Sequence, residues 1–347
     1  MDAQPTQTPE RAAYYDKIAP GNLAPLWENL KALVTPEPVS PCQPFRWRYA
    51  EVREHLMEAG RLITAKEAER RVLMLENPGL RGQASVTHSL YAGLQLILPG
   101  EVAPAHRHTQ SALRFVIEGD GAYTAVDGEK TLMREGDFVI TPNWTWHDHG
   151  NDSDRPMVWL DGLDIPLVRL LDASFAETWP EDRQPLSRPV GDSPARFGEG
   201  LLPIDWRPDA KTSPVFNYPY ERSRAALEKL RETRDWDPCH GLKLRYINPA
   251  SGDWAMPTIG TCLQLLPKGF TSAPYQSTDG TVYTAVEGAG RVTIGNETFD
   301  FGAKDVFVVP SWHRLQFDVD EDTVLFSYSD RPVQEKLDLW RERRGNA

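Results

Sequence analysis

His106 and His108 stand one residue apart, and His147 and His149 repeat that spacing farther along the chain. On a strand, positions i and i+2 face the same way, so His106 and His108 offer two imidazoles on one side. Neutral imidazole ligates iron, zinc, copper or nickel. Two such groups on one face call for a third ligand from a second strand, and His147 follows a Gly- and Pro-rich strand entry at Gly136 and Pro142. No acidic residue stands at matching parity after His108, where Gln110 and Ala112 are found. The expected set is therefore three neutral histidines, which leave a divalent ion its full positive charge. An octahedral ferrous ion so held keeps about three positions open, enough for a chelating acid and O2. A three-histidine zinc site for hydrolysis has the same ligands and stays open as a second reading.

These side chains need rigid strands beneath them. From about residue 85 the pattern becomes period two, with Tyr91, Gly93, Gln95 and Ile97 on one face and Gln95 the odd polar member. A further apolar strand over 157–161 ends in Asp161. Short strands separated by glycine-bearing turns predict an all-β sandwich or barrel, here with flanking helices. The pattern then recurs. Gly100 matches Gly269 and Glu118-Gly119 matches Glu287-Gly288 at an offset of 169 residues, and Pro142 matches Pro310 at 168. A whole domain is duplicated. Where the first copy has His106 and His108, the second has Tyr275 and Ser277, with His313 after Pro310. One histidine does not hold iron tightly, so the second copy is expected to be metal-free and structural.

The chain divides into an N-terminal helical and extended segment (1–84), a first barrel (85–163), a linker with a helix (164–253), a second barrel (254–330) and a C-terminal helix (331–347). Helical spacing is read at 23–34, at 49–59 with Gly60 as the stop, at 65–70 running into a strand over 71–76, at 220–233, and at 332–344 with Leu337, Leu339 and Trp340 as its apolar side. Residues 1–22 are polar and expected to be loosely ordered. Residues 164–215 are irregular, but Trp179, Phe197, Trp206 and Phe216 make them a segment that wraps the barrels.

Composition narrows the function class. The chain has 347 residues, 40% of them hydrophobic and 25% charged, with a net charge of −12. That balance disfavours a nucleic-acid surface and predicts no such partner. No apolar run approaches a membrane span. The start of the chain lacks the basic and apolar regions of a signal peptide. Cys42, Cys239 and Cys262 are isolated, which suits a reducing compartment, and the expectation is a cytoplasmic protein.

Gly100, His106, His108 and Gly119 fit the first of the two cupin motifs, with Ala112 at its usual Glu. Gly136, Pro142, His147 and Asn151 fit the second, with Trp144 at its middle Gly. Over nearly its full length the sequence resembles gentisate 1,2-dioxygenases and their salicylate- and 1-hydroxy-2-naphthoate-cleaving relatives. The resemblance rests on the stretches 26–30, 69–73, 90–97, 104–115 and 144–150. It implies a bicupin of two tandem jelly-roll barrels, one Fe(II) per chain on His106, His108 and His147, and a homotetramer. It implies C1–C2 cleavage of gentisate by O2 to maleylpyruvate. Salicylate, a substituted salicylate or 1-hydroxy-2-naphthoate is the alternative small aromatic 2-hydroxy acid, and a non-enzymatic binding or storage cupin is another class. By position, Arg114 and Arg70 become carboxylate contacts, with Arg71 as the rival of Arg70. Gln95, His149 and Asp161 become polar groups of the pocket, His149 with an acid–base role, and Tyr91 shapes specificity. These residues also have plainer readings: a turn-capping His149, an ion pair of Arg114 with Glu118 or a strand partner, and Gln95 and Asp161 that satisfy buried backbone.

Overall fold

Alternation of apolar and polar residues in two long blocks yields two barrels, each built from one six-stranded and one five-stranded antiparallel sheet. The computed structural model describes residues 8–233 and 235–345. The chain separates into a small unit, Met1–Val39, and a large one, Ser40–Ala347. In the small unit, described residues of the segment expected to be loose are helical over Pro9–Ile18, where Thr8 caps the first turn. Residues 1–7 of that segment lie outside the described residues. The next helix is Leu26–Leu33, three residues shorter at its start than the spacing suggested.

In the first barrel, strands Tyr91–Ile97, Met157–Leu163, Ala112–Glu118 and Phe138–Thr141 form the middle of the six-stranded sheet. Val102–His108, His147–Asn151, Asp120–Val126 and Glu129–Arg134 form most of the facing five-stranded sheet. The second barrel repeats this layout with Gly260–Leu266, Thr323–Ser329, Thr281–Glu287 and Val306–Val309 on one side. Tyr275–Ser277, Leu315–Asp318, Gly290–Ile294 and Glu297–Phe301 lie on the other. The N-terminal segment supplies an edge strand to each barrel: Val72–Met74 to the first and Phe45–Trp47 to the second.

The two six-stranded sheets pack face to face. Leu94, Leu113, Phe115 and Leu160 meet Leu263, Val282, Phe326 and Tyr328 in one continuous core. Phe115 and Phe326 stack with centroids 4.1 Å apart, and Tyr328 donates its hydroxyl to the Tyr91 carbonyl at 3.0 Å. Because strand neighbours alternate faces, Tyr91, Gly93, Gln95, Arg114 and Asp161 are turned away from this contact and into the first barrel. There Ile97, Val116, Met133 and Trp159 close the floor.

Four expectations need correction. Gly60 does not end the second helix, which runs Tyr49–Leu62. A Cβ at Gly60 would fall 3.0 Å from Leu96 Cδ2, so the glycine serves close packing on the sheet instead. The third helix is only Ala65–Ala68, ended by Glu69 at φ 52°. The second barrel begins before Trp254, because Leu242–Arg245 pairs with Gly260–Leu266. Residues 332–344 are not one helix. A short helix, Arg331–Lys336, stops before Asp338 at φ 57°, and Glu342–Arg344 then pairs as a strand with Tyr275–Ser277. An unpaired strand edge offers backbone partners that a further helical turn of exposed Leu337 and Leu339 does not match.

Candidate metal centre

The strand Val102–His108 lies beside His147–Asn151 with His106 opposite His147. Parity then turns His106, His108 and His147 to the same side of the sheet. One ligand atom from each lies within 4.8 Å of the others, and His106 Nε2 is 2.9 Å from His147 Nε2. The second nitrogen is spoken for in two of them. His108 Nδ1 faces the Gln110 carbonyl and His147 Nδ1 the Thr145 carbonyl, both at 2.9 Å. A carbonyl only accepts, so each Nδ1 carries the proton and each Nε2 keeps its lone pair for a metal. Burial, with the charges of Arg70 and Arg114 nearby, pushes His106 down to about 2 and His108 down to about 4. Burial also drives His147 well below the ordinary imidazole range. The cluster is thus neutral, with His108 and His147 locked in one tautomer, and its donors fit a borderline divalent ion such as Fe(II).

The loop that delivers His147 is held against the other ligand strand. Trp144, at the position where the motif carries Gly, takes the left-handed conformation with φ 57°. A bulky side chain there is strained. In compensation the Trp144 amide donates to the His108 carbonyl at 2.7 Å. The Arg107 guanidinium lies 4.6 Å from the Trp144 ring and 4.7 Å from the Trp146 ring. Arg107 is also paired with Glu177. Glu177 belongs to the linker strand Ala176–Thr178, whose residues pair with His108, Arg107 and His106. The linker therefore wraps the ligand strand itself.

Behind the histidines runs a buried polar chain. Arg114 donates from Nη1 to Thr141 Oγ1 at 2.5 Å and from Nη2 to His149 Nε2 at 2.9 Å. Since guanidinium only donates, His149 Nε2 is the acceptor and its Nδ1–H points to Thr124 Oγ1 at 2.9 Å. The Thr124 hydroxyl in turn donates a hydrogen bond to Met133 Sδ at 3.3 Å. Arg114 Nε lies 3.7 Å from Asp161 Oδ1 and makes no hydrogen bond, although it is buried. Asp161 in turn accepts from Trp159 Nε1 at 3.0 Å. Burial raises the Asp161 carboxyl to about 6 against the pull of Arg114. Burial and the charge of Arg114 hold His149 neutral.

The two candidate arginines separate cleanly. Arg71 is buried, forks onto Glu101 at 2.9 and 2.7 Å, and donates to the Ile63 carbonyl. Its charge is spent on structure. Arg70 reaches the Pro104 carbonyl at 2.7 Å, two residues before His106 on the same strand. Burial and the nearby Arg114 bring it down to about 10. Arg114 does not pair with Glu118, which is held by Arg53 at 2.7 Å and by Tyr49, but with its strand partner Asp161 at 3.7 Å. Gln95 and Tyr91 are buried on the inward face, opposite Trp159 and Leu163. Burial keeps the Tyr91 phenol protonated, so it is a donor. The structure thus gathers His106, His108, His147, Arg70 and Arg114 into one electrostatic environment and leaves Arg71 outside it. Thr124, Thr141 and Trp159 escaped sequence reading. Their signal was a polar or indole group at inward parity on otherwise apolar strands.

A cupin-domain family model matches residues 93–163, the strands that carry all three histidines. The gentisate 1,2 dioxygenase 1 of Aquipseudomonas alcaligenes is 59% identical over 98% of this chain and 98% of its own. The 5-aminosalicylate 1,2-dioxygenase of a Comamonas species is 36% identical over 99% of this chain and 92% of its own. The crystal structure of a salicylate 1,2-dioxygenase from Pseudoaminobacter salicylatoxidans with gentisate superposes with a TM-score of 0.93 at 34% identity, covering 99% of this chain and 96% of that one. With a bicupin fold and a near full-length match to enzymes of this kind, the chain belongs to the gentisate 1,2-dioxygenase family of ring-cleaving dioxygenases.

Proposed function

We propose that the protein cleaves gentisate between C1 and C2 with O2, giving maleylpyruvate, at one Fe(II) held by His106, His108 and His147. The observation that carries this reading is a neutral three-histidine cluster set beside two guanidinium groups and a single carboxylate. A site of that charge favours an anionic chelating substrate. The relatives' names, gentisate and aminosalicylate dioxygenases, support the same substrate class. When bound, Fe(II) supplies open coordination positions and the electrons that let ground-state O2 react with the ring.

The chain's own residues do the positioning. Arg114 has a buried Nε–H without an acceptor, and among the described residues Arg70 has no carboxylate partner within ion-pair distance. Both are offered to the substrate carboxylate, and orientation of this kind removes much of the entropic part of a barrier. Gln95 and the Tyr91 phenol meet the ring and its substituents, with Tyr91 deciding which rings fit. Asp161 balances Arg114. His149 orients Arg114 through Nε2. Its proton exchange with the substrate's far hydroxyl requires the guanidinium to turn toward the substrate and release that nitrogen. Both atoms of O2 enter the product as the C1–C2 bond breaks.

The protein acts as a homotetramer in the cytoplasm. Support for self-association comes from the helix Leu26–Leu33, whose Leu26, Trp27, Leu30 and Leu33 are all exposed. No helix among the described residues is long and apolar enough to cross a membrane. The test of function is an oxygen electrode with protein loaded anaerobically with Fe(II). Gentisate should consume one O2 per molecule, with the ring-opened product absorbance rising in step. No uptake with gentisate, salicylate or 1-hydroxy-2-naphthoate would sink the dioxygenase reading.

A further inference from the structure

The second barrel has lost the metal ligands but not its polar mouth. Pairing of Tyr275 with Leu315 makes Tyr275, Ser277 and Leu315 the counterparts of His106, His108 and His147. Tyr283 stands where Arg114 stands in the first barrel, on the strand paired with Thr323–Ser329. The positive charge has moved one edge over. Lys243 and Arg245 lie on the strand paired with Gln264 and Cys262, at inward parity. A cavity of about 260 Å3 opens there, lined by Lys243, Arg245, Arg331, Asp279 and the rings of Tyr275 and Tyr283.

Three cations and one carboxylate line this space, and most of them are already engaged. Arg331 pairs with Glu335 at 2.7 Å and lies 3.8 Å from the Trp340 ring. Arg245 donates to the Gly252 carbonyl at 3.2 Å. Asp279 accepts from Trp340 Nε1 at 2.9 Å. Lys243 has one hydrogen bond, a long 3.5 Å contact to the Tyr283 hydroxyl, and no ion pair among the described residues. Lys243 is half-buried at the cavity wall, and an ammonium with three donors and one long hydrogen bond can take a further acceptor.

We propose that the mouth of the second barrel is a metal-free binding site for a small organic monocarboxylate, with the Lys243 ammonium as the anchor for the carboxylate and the rings of Tyr275 and Tyr283 as walls for an apolar body. The volume admits a small ligand and is below the range usual for drug-sized ones. With Arg331 committed to Glu335 and Arg245 to the Gly252 carbonyl, the Lys243 ammonium beside the Tyr283 phenol suits a carboxylate with a flat apolar part.

The probe is benzoate, titrated calorimetrically under nitrogen into the iron-loaded full chain. Arg114→Met weakens the carboxylate contact of the first barrel, where Arg70 remains, and this variant should still bind one benzoate per chain in the second. Adding Lys243→Met should weaken that binding at least about tenfold, while Lys243→Arg should hold it within about threefold. Lys243→Met alone should leave ring cleavage unchanged. Inorganic phosphate should not displace benzoate from the Arg114→Met variant. Absence of binding in Arg114→Met, or equal affinity with and without Lys243, overturns the site, and displacement by phosphate overturns its carboxylate character. If Lys243→Met does not fold, crystals of the unaltered chain with 4-bromobenzoate decide. Bromine beside Lys243 supports the proposal, and bromine confined to the first barrel overturns it.

Discussion

The two barrels share sheet order, edge strands and the glycine and proline turns, yet only the first gathers histidines. At equivalent places stand His106 and Tyr275, His108 and Ser277, His147 and Leu315, Arg114 and Tyr283. Even the left-handed tryptophan recurs: Trp144 and Trp312 have φ 57° and 62°, and each donates its amide to the residue at the His108 position, His108 or Ser277. The strained loop is therefore part of the barrel and not of the metal chemistry. What distinguishes the first barrel is a handful of inward side chains on an unchanged backbone plan. The second barrel keeps an interior of its own, in which Phe301, Phe307 and Phe317 pack together, and uses its outer face to back the strands that carry Arg114 and Asp161.

Matched substitutions in the two barrels should separate chemistry from scaffold. The largest effect is expected for His108→Ala, which should lower kcat/KM by on the order of 1000-fold or more and leave substoichiometric iron. Its counterpart Ser277→Ala should change either quantity by less than about twofold. Plasma mass spectrometry and an oxygen electrode check both. Next is Arg114→Met, which removes a charged contact and should cost roughly 100-fold, mainly through KM, while Tyr283→Phe costs nothing measurable in turnover. Loss of kcat/KM in Tyr283→Phe equal to that in Arg114→Met would erase the distinction between the barrels.

A third substitution targets what the barrels share. Phe326→Ala opens a cavity opposite Phe115 and should destabilise the chain by about 3–5 kcal/mol, read as a lower melting temperature. The iron site should remain intact in the folded fraction. The smallest effect concerns pH. Asp161 has a folded pKa near 6, above the unfolded carboxylate value. The folded state therefore binds the extra proton, and this group's stabilising contribution is full below the unfolded pKa and lost as pH rises through about 6. Asp161→Asn should accordingly gain thermal stability relative to the parent as pH goes from 4 to 7, by a few degrees. A difference in melting temperature that stays flat over that range would show that Asp161 is not the titrating group.

Much of this was legible in sequence because strand parity is a strict rule. His106 with His108, and Tyr91, Gly93, Gln95 with Ile97, fall on the predicted faces, and the duplicated glycines and prolines mark both barrels. The repeat extends beyond the barrel strands. Asp164, Pro166 and Asp172 recur as Asp330, Pro332 and Asp338, so a helix and then an edge strand follow each barrel. That echo would have replaced the expected C-terminal helix with a strand. His313 lies three residues after Pro310, whereas His147 lies five after Pro142, and pairing puts Leu315 at the His147 position. His313 Nδ1 instead sits 3.1 Å from the Ser311 carbonyl. The choice between Arg70 and Arg71 was not legible, because it depends on Glu101, thirty residues away, capturing one of them. The Thr124–His149–Arg114–Asp161 chain was hidden for the same reason: its links join four different strands.

If metal chemistry is confined to the first barrel, loss of one first-barrel ligand abolishes iron binding by the whole chain. Anaerobic equilibrium dialysis against Fe(II), followed by exposure to gentisate and O2, tests it most directly in the parent chain and in His147→Ala. One iron per parent chain, none retained by the variant, and oxygen uptake only in the parent is the predicted result. A full equivalent of iron in His147→Ala that still supports oxygen uptake would contradict it.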